Sequence, residues 1–185
     1  GTSSIMIGDS TTGTIDAANY NTGVGVDVFA ALTTGDGNVA AGFKSLTGNT
    51  TGSNNTAVGD GSGYRITTGS DNTVIGNMED SSVGAMTSSS NTFVGRSAGE
   101  RNTTGNSNTF IGSLCGDLAT TGASNVGVGA SSLTALTTAA NNTAVGASSM
   151  AANTTGTDNV AVGTYALNAN TTASENTAIG RHTLE

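Results

Sequence analysis

Asn142-Thr143-Ala144-Val145-Gly146 is one of eleven versions of a single five-residue unit in this chain. Asparagine opens ten of them, at Asn21, Asn38, Asn55, Asn72, Asn91, Asn108, Asn125, Asn142, Asn159 and Asn176, and Ser4 holds the same slot in the first. The spacing is 17 residues at every step except Asn72 to Asn91, where it is 19. Self-similarity at a short fixed period marks an array of stacked coils, each burying its apolar side chains against its neighbours. The period outweighs the length of 185 residues, so a single repeat domain over 1–185 is expected rather than one or two globular bodies.

With the asparagine as position zero, position four is Gly in all eleven coils, Gly25, Gly59, Gly95, Gly146 and Gly180 among them. A backbone site that never carries a side chain is a sharp bend or a close approach of two chains. Position one is Thr or Val apart from Ile5, and position three is Val or Ile apart from Ala41. β-Branched residues two apart, closed by Gly, predict a short strand with that face turned into the coil. Position two, on the opposite face, is also uncharged, from Met6 and Gly23 to Phe93, Phe110 and Ala178. Positions zero to four hold no charge in 55 residues, where the overall frequency would put roughly five. A strand apolar on both faces is covered on both faces. One cover is the coil interior, and the economical source of the other is a second copy of the chain.

Later in each coil, position eight is often large and apolar, as in Phe29, Leu46, Leu133, Met150 and Leu167, and reads as a second short strand. A polar corner follows, as in Thr50-Thr51-Gly52, Thr120-Thr121-Gly122 and Thr171-Thr172-Ala173. The expectation is an all-β solenoid, a parallel β-roll of about eleven 17-residue coils, each with two strands and two corners. Coils stack at ~4.8 Å, which brings the asparagines of position zero within reach of one another as an amide ladder.

Thirteen acidic residues against five basic ones give a net charge of −8, which disfavours nucleic acid and anionic membranes as partners. No apolar run approaches the ~20 residues of a membrane-spanning helix. Cys115 is the only cysteine, so no disulfide forms within the chain, and its slot holds small residues elsewhere, which makes it a packing residue. Gly1 and Leu184-Glu185 read as additions at the two ends, so the segment is expected to be a fragment of a longer fibrous protein.

Asn142-Thr143-Ala144-Val145-Gly146 and the spacer Asn153-Thr154-Thr155-Gly156 resemble the repeats of phage tail fibres. They are also similar to the head repeats of YadA-like trimeric autotransporter adhesins, whose motif resembles Asn-Ser-Val-Ala-Ile-Gly and whose repeats are a few residues shorter. The resemblance spans the whole chain. It implies a homotrimeric, left-handed parallel β-roll used for attachment, located in a virion tail fibre or on a cell surface, with a host glycan or protein as receptor.

Catalysis has little material. His182 is the sole histidine and has no Ser or Cys at a spacing that makes a nucleophile–base pair, so no enzyme is expected. The acidic residues match no calcium loop, and the glycines follow the structural period with no Lys-Ser/Thr after them, so neither a metal nor a cofactor is expected. A receptor contact is sought where the repeat departs from itself: Asn77-Met78-Glu79-Asp80, in the 19-residue coil, is predicted to bulge outward. Arg96, Glu100 and Arg101 form the densest charge cluster, and Tyr20, Tyr64 and Tyr165 would offer sugars a stacking surface if exposed. Beside an adhesive fibre module stand two other classes: an ice-binding solenoid, which needs an outward file of uninterrupted Thr, and a glycan-cleaving fibre enzyme, which needs a carboxylate pair across a cleft.

Overall fold

A computed structural model describes residues 4–8, 17–78 and 82–185. The described chain is all-β with no helix, and each coil contributes one strand of three residues, at positions one to three. Two compact units divide it, Gly1–Asn91 and Thr92–Glu185. The first carries β1 (Ile5–Ile7), β2 (Thr22–Val24), β3 (Val39–Ala41), β4 (Thr56–Val58) and β5 (Thr73–Ile75). Each of these pairs in parallel with the next at the repeat spacing, as in Thr22↔Val39 and Val39↔Thr56. The second carries β6 (Thr92–Val94), β7 (Thr109–Ile111), β8 (Val126–Val128), β9 (Thr143–Val145), β10 (Val160–Val162) and β11 (Thr177–Ile179), paired in the same way. Each unit is therefore a parallel β-solenoid in which equivalent residues of successive coils lie over one another.

The strand faces are reversed from the sequence expectation. Position two points into the coil: Ala40, Ala57, Val74, Phe93, Phe110, Ala144 and Ala161 are buried. Position three points out, with Val24 at 45% exposure, Ile75 at 41% and Val145 at 36%. The reason is the width of the coil. Phe29, Leu46, Leu133 and Met150 at position eight are buried, and they leave room opposite only for Gly23, Ala40, Gly127 and Ala144. Where position two is Phe, position eight is Gly: a Cβ on Gly99 would stand 2.7 Å from the Phe93 ring, and one on Gly116 would stand 2.6 Å from Phe110. A Cβ on Gly127 would likewise meet Cys115 Sγ at 2.6 Å. Large and small residues thus exchange places across most coils, as close packing demands, whereas in the Asn55 coil both are small (Ala57 and Gly63) and Leu46 and Ile66 stand against the glycine. Phe93 and Phe110 stack inside the second unit with ring centroids 5.5 Å apart.

Among the described residues the expected second strand is also absent; that stretch is a chain of turns. Positions six and eight both take left-handed backbone in most coils, as in Asp27 (φ 56°) and Phe29 (φ 56°), or Ser148 (φ 53°) and Met150 (φ 49°). For a residue with a side chain this conformation costs about 1–2 kcal/mol. Burying a Leu, Phe or Met side chain contributes about 1.5–3 kcal/mol, so the fold tolerates the strain where position eight fills the core.

Gly at position four is required on two counts. Its φ lies at +139° in Gly25, +130° in Gly59 and +131° in Gly146. A Cβ there would sit 2.4 Å from the carbonyl oxygen of Gly42 and of Gly76 in the first two cases. Successive glycines of this column touch backbone to backbone, so the column sets the closeness of the stack.

Candidate interaction surface

The asparagines of position zero lie where the strand begins; from Asn21 to Asn159 they are buried, and Asn176 is half-buried. Asn38 donates its backbone N–H (2.8 Å) and its Nδ2–H (3.0 Å) to Asn21 Oδ1, and a second Nδ2–H to the Gly52 carbonyl (2.9 Å). The same arrangement runs through Asn55, Asn72 and Asn91 in the first unit. In the second it joins Asn108, Asn125, Asn142, Asn159 and Asn176. An amide suits this column because it accepts from the coil on one side while donating to the coil on the other, which no carboxylate or hydroxyl does with the same geometry. These residues hold the fold and present nothing to a partner.

The Thr-Thr corners are equally regular. The first Thr donates its hydroxyl to a backbone carbonyl one coil on, as Thr50 does to Thr67 (3.0 Å) and Thr120 to Thr137 (3.1 Å). Asn153 closes its corner reciprocally: its Nδ2 donates to the Gly156 carbonyl (2.9 Å) and its Oδ1 accepts the Gly156 N–H (3.1 Å). The second Thr of these corners is exposed, as Thr34, Thr51 and Thr68 in the first unit and Thr104, Thr121, Thr138, Thr155 and Thr172 in the second; Thr87, which follows Met86 in the corner of the 19-residue coil, is exposed as well.

The outer strand face is what remains open. In the first unit Val24, Val39, Val58 and Ile75 stand exposed along it, widened at position five by Val26 and Phe43. In the second, Ile111, Val145, Val162 and Ile179 do the same. Position one, Thr or Val, is half-buried or exposed alongside. No residue of positions zero to four is charged, so the face is an apolar strip bordered by polar corners. Single exposed apolar side chains are ordinary on a protein surface; a continuous file in successive coils is a feature of interaction surfaces.

The other predicted positions are dispersed. Asn77 is half-buried and its Nδ2 donates to the Asp60 carbonyl (3.2 Å). Met78 is turned inward at 3% exposure, while Glu79 and Asp80 lie outside the described residues. Arg96 and Arg101 are exposed but Glu100 is buried. His182 is exposed, stacks on Tyr165 with ring centroids 5.0 Å apart, and its Nδ1 contacts Glu185 Oε1. Tyr20 is exposed and Tyr64 half-buried. Burial pushes the Cys115 thiol up to about 12, with a backbone hydrogen bond from Ile111 acting weakly the other way. Among the described residues no group of three or more His, Cys, Asp or Glu side chains converges on one point. The chain matches no protein-family model, no curated protein and no solved structure in comparisons with each.

Sequence reasoning singled out Arg96 in a charge cluster but missed that charges border the strip. Asp36, Asp71, Asp158 and Glu175 lie just before position zero, and Lys44, Arg96 and Arg181 lie at positions five and six. The signal was present in the repeat numbering: one border is acidic and the other carries three of the five basic residues.

Proposed function

We propose that this chain is a non-catalytic structural and adhesive module of a homotrimeric fibre, of the phage tail-fibre type, serving attachment to a host surface; a head segment of a bacterial adhesin is the neighbouring form of the same reading. The observation that carries it is the uncharged outer strand face, exposed in most described coils, half-buried at β6 and β8, and built of residues that water hydrates poorly. Three sister faces meeting about a common axis cover one another and close without forming an endless fibre. The number three comes from the resemblance to tail-fibre and adhesin repeats. Three copies also present each receptor contact three times, so weak binding to a host glycan or protein gains avidity without a deep pocket. Sedimentation equilibrium at micromolar concentration tests this: a mass three times that of the 17.9 kDa chain is expected. Val145→Lys, which places an ammonium on the strip, is expected to yield folded monomers. A wild-type chain that is folded and monomeric overturns the proposal.

One observation favours a second reading. An exposed Thr at the second corner position recurs in successive coils, from Thr34 to Thr87 in the first unit, whose first coil has Ala17 there, and from Thr104 to Thr172 in the second, the kind of outward array that an ice-binding solenoid requires. Thermal hysteresis in a micromolar solution would support it, and freezing indistinguishable from buffer would remove it.

A further inference from the structure

We infer that copies of this chain associate parallel and in axial register, and that the charged borders of the strip, rather than its apolar centre, set that register. The inference rests on the homo-oligomeric reading above and deepens it. The apolar file cannot choose a register by itself, because Val and Ile recur at the same position in successive coils and a slip of one coil buries nearly the same surface.

The borders differ from coil to coil. In any cyclic arrangement of parallel copies, the border before position zero of one copy meets the border at positions five and six of its neighbour. With no slip in the first unit, Asp36 faces Lys44, Asn54 faces Asp60, and Asp71 faces Asn77: one opposite-charge pair and no like-charge pair. A slip of one coil in one direction sets Asp36 against Asp60. A slip in the other sets Asp36 against Asp27 and Asp71 against Asp60. In the second unit, zero slip sets Glu175 against Arg181, and Asp158 faces the uncharged Thr164; the first of these slips exchanges that pair for Asp158 against Arg181, so it is the Asp36–Asp60 repulsion that separates the two registers. Turning one copy end over end brings like border to like border and loses both pairs. Asp36 is half-buried with Oδ1 accepting the Asn19 N–H (2.7 Å), which leaves its second oxygen for a partner, and Lys44, Glu175 and Arg181 are exposed. Rim charges of this kind contribute little affinity but discriminate strongly among alternative dockings.

The test uses the full chain in low salt, with sedimentation for mass and circular dichroism for folding. Arg181→Glu, which makes both borders acidic at that level, is expected to weaken association about tenfold, less in high salt. The swap Glu175→Arg/Arg181→Glu is expected to restore self-association. Mixed with differently tagged wild type, it is expected to form mixed oligomers below the statistical proportion. An oligomer indifferent to Arg181→Glu, or a swap that neither recovers nor sorts from wild type, overturns this inference and leaves the homo-oligomeric reading standing. A monomeric wild-type chain instead overturns both.

Discussion

Phe93 and Gly99 fill one coil between them, and exchanging their sizes provides a quantitative test of how the interior is packed. Phe93→Ala removes a fully buried ring, leaves a cavity, and ends the stack on Phe110. The loss is about 3–5 kcal/mol, of which the stack accounts for about 0.5–1.5 kcal/mol. Gly99→Leu alone drives a Cβ to 2.7 Å from the Phe93 ring and gives a left-handed residue (φ 60°) a side chain. Overpacking and backbone strain together make that about 2–5 kcal/mol. The double variant instead recreates the pairing found at Ala161 with Leu167, a small residue facing a large one that itself tolerates φ 49°. It is expected to fall about 1.5–3.5 kcal/mol below wild type, the strain and the lost ring stack remaining. Urea denaturation of the four proteins, treated as a double-mutant cycle, then yields a coupling of at least about 1.5 kcal/mol. Losses that simply add would refute complementary filling and show each side chain to be accommodated independently.

Three further outcomes follow from the same packing. Asn125→Ala removes the acceptor of two N–H groups of Asn142 and the donor to the Ala139 carbonyl, and is expected to lower stability by about 2–4 kcal/mol, read by urea denaturation. Gly146→Ala places a Cβ at 2.6 Å from Gly163 and a methyl at φ +131°, and is expected to cost more than about 3 kcal/mol or to prevent folding, visible as loss of the β signal in circular dichroism. Cys115, whose thiol is raised from 9.0 to about 12, should resist alkylation at pH 8 in the native protein and react promptly in denaturant. Because the folded chain keeps that proton to higher pH than the unfolded chain, this group leaves stability unchanged below pH 9 and lowers it as pH rises from there towards 12.

The repeat spacing and the glycine of position four made the stack, its parallel pairing and its short strands readable before any coordinates. Which face turned inward was not readable, because both faces of the strand are apolar and β-branched residues favour a strand on either side. The decisive quantity was volume, shared between positions six apart: Gly23 with Phe29, Phe93 with Gly99, Gly127 with Leu133. Phe29 and Met150 also concealed the turns. Large apolar residues at recurring positions resemble a strand, and left-handed backbone under a bulky side chain is a conformation that local preferences argue against. Only the neighbouring coils make it worth adopting. The surface was half legible: the absence of charge from positions zero to four marked the uncharged strip, whereas the charges along its borders required knowing which positions flank it.

The asparagine column also bears on how such a chain can change over generations. Asn91 reaches Asn72 across the 19-residue coil by the same two bonds, 3.0 and 3.2 Å, that join asparagines 17 residues apart. The additional residues enter after the strand and before the corner, so the column never registers them. A gene encoding this pattern can therefore gain or lose whole repeats by recombination between near-identical segments, and can accept small insertions in the loop, with the remaining coils meeting the same neighbours as before. The number of coils becomes heritable in steps, separately from the charges that border the strip.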